Sequence, residues 1–219
     1  MMKKTVNMRI IRRISFYYEA LLKMEIDDEA YVSSKRIEEV TGISGNQVRQ
    51  DFYYLGIAIG KQKKGYQVKK LVAELKKILS INKGAKVIVV GAGRMGQALA
   101  EFKIFRQRNI KIVALFDVKS ELVGTMTDSR HDPKPIMHVD QLESFLDTNP
   151  DVSIALLTVP EEQAQEAFDH LLAAGIRGVI NFAPRIIKLP ADNRNIFLVN
   201  DCIGISMYKI IYQLQHSRR

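Results

Sequence analysis

One cysteine in 219 residues, Cys202, leaves no partner for an intramolecular disulfide and excludes a multi-cysteine metal site. No histidine neighbours it to mark it as activated, so Cys202 reads as a small buried apolar group rather than a nucleophile. Long apolar runs are missing too. None approaches the ~18 residues of a membrane span, and the basic N-terminus is not followed by the apolar block of a signal peptide. The expectation is a cytoplasmic globular protein with no membrane and no metal. Its 47% hydrophobic and 26% charged residues are ordinary for that class, and 219 residues suffice for one or two domains with real cores. The four histidines, His131, His138, His170 and His216, are scattered, and none stands with a carboxylate, serine or cysteine in a spacing that suggests a nucleophile and its base. Each reads as a surface or loop residue, and catalytic residues are expected to be absent.

Positive charge is present but unevenly placed. Of the net +9, residues 1–83 carry 17 Lys and Arg against 9 Asp and Glu, while residues 84–219 carry 16 against 15. A basic N-terminal third suits a polyanion such as double-stranded DNA.

That third has the pattern to use the charge. Apolar positions at Met8, Ile11, Ile14, Tyr18, Leu21 and Leu22 predict an amphipathic helix over 6–24. Ser33 or Ser34 caps a second, short helix through Val40, ended by Thr41-Gly42. A third starts at Ser44, where Ser44-Gly45-Asn46-Gln47 fits a capping box, and runs to about Leu55. Two short helices around a glycine turn make a helix-turn-helix, and the second carries Ser44, Asn46, Gln47, Arg49 and Gln50 where a recognition helix meets the major groove. Amides bond adenine edges and arginine grips guanine or phosphate. Residues 57–59 and 66–68 then read as two strands joined by 60–65, a wing whose Lys61, Lys63 and Lys64 suit phosphates or the minor groove. A further helix over 69–79 and a boundary at 80–85 complete a winged helix of residues 1–80.

The remainder centres on Gly91-Ala92-Gly93-Arg94-Met95-Gly96, which follows the apolar run 87–90 and opens a helix predicted over 97–106. In such a fingerprint Gly91 makes the tight turn, Gly93 lets backbone approach a pyrophosphate and Gly96 lets helix and strand pack closely. A second apolar run, 110–116, ends in Asp117, 21 residues beyond Gly96. That is close to the ~20 expected for the acid that binds the adenosine ribose, and it favours NAD(H) over NADP(H). A polar loop over 121–135, a short helix over 140–147, a strand over 152–160, a helix over 161–174 and a strand over 178–182 follow. The corner Thr158-Val159-Pro160 and Asn181 are expected to converge with the glycines and Asp117, because ligands bind at the carboxyl ends of parallel strands. Residues 85–200 thus read as a Rossmann-type domain. The helix over 203–214 is apolar all round and must cover its own domain or a second subunit.

A winged helix, then GAGRMG, LTVP (157–160), AAGIRGVINFAP (173–184) and an apolar terminal helix together resemble the Rex family of redox-sensing transcriptional repressors, over nearly the whole chain. The resemblance implies an α/β chain with a winged helix, a doubly wound parallel sheet and a domain-swapped C-terminal helix, 201–219. It implies a homodimer that binds operator DNA, holds NAD(H) and releases the DNA when NADH binds. Several positions depart from the family. Arg49-Gln50-Asp51 stands where it usually reads Arg-Lys-Asp, and Gln62-Lys63-Lys64-Gly65-Tyr66 replaces RGxGY. Glu19 and Phe197 fall where an interdomain Arg and Asp are usual. Two alternatives stay open: an NAD-dependent oxidoreductase, and a paralogue that binds nucleotide but has lost operator recognition.

Overall fold

The computed structural model describes residues 7–26, 30–58, 60–61, 64–129 and 132–216, and the chain divides into two compact units between Lys83 and Gly84. The first unit runs α1 (Met8–Ile26), β1 (Tyr31–Val32), α2 (Ser34–Thr41), α3 (Gly45–Tyr54), β2 (Gly60–Lys61), β3 (Gly65–Gln67) and α4 (Val68–Ile78). Ile14, Tyr17 and Leu21 of α1, Phe52 of α3 and Leu71 and Leu75 of α4 form one buried cluster. The helix ends follow local chemistry. Ser33 Oγ accepts from the Arg36 N–H at 3.0 Å, and Gly42, at φ +71°, closes α2 by donating to the Glu38 carbonyl at 2.8 Å. Only half of the expected capping box exists: Ser44 Oγ accepts from the Gln47 N–H at 3.3 Å, but the Gln47 side chain turns to Asp51.

The wing is shifted from its predicted place. Ile57 was expected in a strand, yet its N–H donates to the Phe52 carbonyl at 2.9 Å and its side chain packs on the core, so it closes α3 instead. The strands are β2 and β3, antiparallel with Gly60 opposite Tyr66 and Lys61 opposite Gly65. A third strand, β1, pairs with β3 on the other side.

The second unit runs β4 (Ala85–Val90), α5 (Arg94–Ala100), α6 (Lys103–Gln107), β5 (Ile110–Asp117), β6 (Ile136–His138), α7 (Leu142–Thr148), β7 (Val152–Leu157), α8 (Ala164–Ala173), β8 (Gly178–Asn181), β9 (Phe197–Asn200) and α9 (Ile203–His216). Its six strands pair in parallel in the order β6-β5-β4-β7-β8-β9. The chain therefore winds outward from β4 through β6, returns to the centre and winds the other way from β7. This is the doubly wound order, with its switch point between β4 and β7. Alternate residues of β4 feed two cores, Ile88 and Val90 on one face, Val87 and Val89 on the other.

Two predicted elements break. The helix expected over 97–106 is α5 and α6, parted at Glu101-Phe102. Leu99 and Phe105 both pack on the Val87 core, and in one straight helix they would lie roughly 120° apart. The strand expected to reach residue 160 stops at Leu157, and a 3₁₀ turn, Glu161–Gln163, precedes α8. β6 and β9 were not anticipated.

Candidate functional site

At the switch point lies a cavity of about 520 Å³. Gly91, Gly93, Arg94 and Met95 line it on one side, Asp117 at the end of β5 on another, and Thr158, Val159 and Pro160 beyond β7 on a third. Val90, Phe116, Val139 and Leu142 give it apolar walls. Each glycine has its own constraint. Gly91 sits at φ +101°, and a Cβ there would stand 2.7 Å from the Thr158 carbonyl carbon. A Cβ on Gly96 would collide with the Gly91 carbonyl oxygen. Gly93 has φ −67° and nothing within 4 Å of such a Cβ, so its freedom is kept for whatever enters from the open side.

Hydrogen bonds lock this corner. The Thr158 N–H donates to the Val90 carbonyl at 2.8 Å and its hydroxyl to the Gly91 carbonyl at 2.8 Å, which fastens the glycine turn to the end of β7. Asp117 accepts from the Ala92 N–H at 2.6 Å and the Lys119 N–H at 3.0 Å, so backbone alone aims its carboxylate. Ala92 itself is buried, and its contribution is that N–H.

Asn181 is not brought to the cavity. It is 1% exposed, donates to the Arg185 carbonyl at 2.6 Å and to Asn200 Oδ1 at 2.8 Å, and accepts from the Ala183 N–H at 2.9 Å. Its amide binds the loop after β8 to β9. Conversely, Gln163, at the end of the 3₁₀ turn, and Glu166 and His170 of α8 line the cavity and were not anticipated. Their spacing of three and four was the available signal, since it puts them on one helix face. Cys202 is half-buried rather than buried. His131 lies outside the described residues. Among those residues no cluster of three or more His, Cys, Asp or Glu could hold a metal ion, and no helix is long and apolar enough to cross a membrane.

In the first unit, α3 is held through Asp51, which is 2% exposed. Arg13 donates to it from Nε at 2.7 Å and Nη2 at 2.6 Å, Tyr17 from its hydroxyl at 2.8 Å and Gln47 from Nε2 at 2.9 Å. Burial pushes this carboxyl up, but the hydrogen bonds from Arg13, Tyr17 and Gln47 outweigh it and hold the group below the usual carboxylate range. Burial, with the bond to Asp51, pushes the Tyr17 phenol well above its ordinary value. Asn46, Arg49 and Gln50 are exposed on α3, with Arg49 donating to Ser34 Oγ at 2.8 Å and to Asn46 Oδ1 at 3.3 Å. On the wing Lys64 is exposed; Lys61 is in β2, and Lys63 lies outside the described residues.

α9 leaves its apolar surface open. None of its residues is buried, and Ile203, Met207, Tyr208, Ile210 and Leu214 are each more than half exposed. On the neighbouring edge strand β9, Phe197 and Val199 are likewise open.

Known proteins resemble this chain over nearly its whole length. Residues 82–185 match the family model described as "CoA binding domain", and residues 5–52 match "Putative DNA-binding protein N-terminus". The redox-sensing transcriptional repressor Rex of Caldanaerobacter subterraneus subsp. tengcongensis is 34% identical over 215 residues, covering 98% of this chain and 92% of that protein. Among solved structures, RSP in complex with β-NAD+ and operator DNA is similar at a TM-score of 0.86 and 31% identity, covering 98% of this chain and 95% of that one. RSP in complex with β-NADH gives a TM-score of 0.81 at 30% identity, covering 98% and 97%.

Proposed function

The chain belongs to the Rex family of redox-sensing transcriptional repressors, and from that membership we propose that it is a homodimeric, cytoplasmic repressor that binds operator DNA and releases it when NADH occupies the cavity. It is a regulator rather than an enzyme. Residues 1–80 form its DNA-binding domain, 85–200 its nucleotide domain and 201–219 its dimerisation helix. The observation that carries the reading is the corner where Gly91, Gly93 and Asp117 meet around an open cavity. Its apolar walls suit an adenine, the carboxylate suits ribose hydroxyls, and the turn at Gly93 leaves space for a pyrophosphate. Arg94, Met95 and the corner Thr158-Val159-Pro160 complete the nucleotide contacts, with Ala92 and Gly96 shaping the turn.

On the other unit, Ser44, Asn46, Gln47, Arg49 and Gln50 face the major groove, and the wing with Lys61, Lys63 and Lys64 follows the phosphates. The exposed apolar surface of α9, with Phe197 and Val199, is buried by exchange of α9 between two copies. Glu19 and Phe197 fall where the family has an interdomain Arg and Asp, and a carboxylate with a phenyl ring cannot supply that ion pair, so the interdomain switch is altered.

A gel-shift titration tests the reading. Duplexes selected from a random pool are expected to be retarded with NAD+ present and freed as NADH rises. Equal retardation at every NADH/NAD+ ratio would sink the redox-sensing claim, and failure to enrich any palindrome would favour a nucleotide-binding paralogue without operator recognition.

A further inference from the structure

The two amides at the start of α3 are oriented by charged partners, and the chemistry of those partners leaves no freedom in the choice. An ionised carboxylate only accepts hydrogen bonds and a guanidinium only donates them. Gln47 meets Asp51 at 2.9 Å and must therefore turn its NH₂ inward, which leaves Oε1 as its outward atom. Asn46 meets Arg49 at 3.3 Å and must turn Oδ1 toward it, which leaves the NH₂ outward. Neither outward group bonds another described residue. Adjacent residues of one helix thus show opposite polarity.

Asp51 is well placed to impose this. Arg13 and Tyr17 fill the carboxylate's other acceptor positions, tie it to α1 and fix its plane before any ligand arrives. Arg49 is similarly braced by Ser34 at the start of α2.

We propose that Asp51 and Arg49 set the polarity with which α3 meets base edges: Gln47 offers its carbonyl oxygen to an exocyclic amine, adenine N6 or cytosine N4, and Asn46 offers its NH₂ to a base acceptor. The inference rests on the DNA-binding reading above. It makes Asp51 a positioning residue for specificity. Gln47 keeps a second amide hydrogen, so contact with adenine N7 beside N6 is compatible, whereas contact with a base acceptor alone is not.

The test deletes single groups from bases. Duplexes selected from a random pool by the wild-type protein are remade with purine in place of adenine, 2-pyrimidinone in place of cytosine, or 7-deazapurines, one position at a time. Removing one particular amine per half-site should weaken wild-type binding about tenfold, the scale of one good base contact. Gln47→Met should bind the unmodified duplex more weakly and lose nothing further on that deletion. Asp51→Asn frees the Gln47 amide to turn, so the folded variant, checked by circular dichroism, should lose its sensitivity to that amine.

Coupling of Gln47 to purine N7 alone would overturn the assigned polarity. Undiminished amine coupling in folded Asp51→Asn would overturn the role of Asp51. If that variant does not fold, the Gln47→Met cycle decides the polarity by itself. A pool that enriches no sequence would overturn the operator-binding reading, and this inference with it.

Discussion

Asp51, in the first unit, accepts four hydrogen bonds at 2% exposure, whereas Asp117, in the second, accepts two beside an open cavity. An ionised carboxylate offers about four acceptor positions, so Asp51 is saturated and Asp117 keeps roughly half its capacity. The donors differ as well. Side chains from α1 and α3 hold Asp51, which makes it a joint between helices. Backbone N–H groups hold Asp117, one on each carboxylate oxygen, which fixes its direction and leaves acceptor positions over. The same side chain is thus a fastening in one unit and an available acceptor in the other, and counting its satisfied positions tells the two uses apart.

The largest effect should come from breaking the saturated acid. Asp51→Ala strands the hydrogen-bonding groups of Arg13, Tyr17 and Gln47 and should cost about 3 kcal/mol of stability in the first unit. Urea denaturation followed by tyrosine fluorescence would show it, while NADH affinity of the second unit stays as in the wild type. The pH profile has a definite sign. Asp51 is held below its unfolded value, so its contribution is full above pH about 4 and is lost as pH falls further. Tyr17 is held above its own, so its contribution is full below pH about 10 and is lost as pH rises. A denaturation midpoint that stays flat through both ends would contradict the network.

Next in size is Gly96→Ala. The added methyl meets the Gly91 carbonyl oxygen, which is backbone already bound by the Thr158 hydroxyl and cannot move alone. About 2 to 3 kcal/mol of stability should be lost from the second unit, with nucleotide binding lost alongside. A thermal melt of the variant close to that of the wild type would mean that the turn is looser than its hydrogen bonds indicate.

These contrasts also separate what was legible in the sequence from what was not. The glycine turn, the place of Asp117 beside it and the serine caps were legible because each is a local demand of φ, close approach or an unpaired N–H. β1, β6 and β9 are two to four residues long at sheet edges, too short for a period to register. Asn181 looked like a strand-end ligand because only tertiary structure brings Arg185 and Asn200 to its amide. The bond from Arg13 to Asp51 spans 38 positions, which no local pattern encodes. Sequence exposed the groups that act through backbone geometry and hid those that act through distant partners.

Asp117→Ala tests the unsaturated acid. Its two backbone donors can turn to water at the cavity edge, so stability should change by no more than about 0.5 kcal/mol. NADH affinity, measured by isothermal titration calorimetry, should fall about tenfold to a hundredfold, the loss of a hydrogen bond to a charged group. Unchanged affinity would mean that the ribose lies elsewhere.

The smallest effect on folding should come from Gly93→Ala, and it bears most directly on the cavity. Gly93 shares its turn with Gly91 and Gly96, yet its φ of −67° suits any residue and an added methyl meets no atom within 4 Å. The fold should therefore tolerate the change to within about 0.5 kcal/mol. The space that receives the methyl is the space on the cavity side of the turn where a pyrophosphate would approach the backbone. NADH affinity should fall severalfold while the thermal midpoint stays put, a separation that Gly96→Ala cannot show. If Gly93→Ala binds NADH as well as the wild type, the phosphates do not pass over Gly93, and the wall formed by Gln163 of the 3₁₀ turn with Glu166 and His170 of α8 is the next place to seek them.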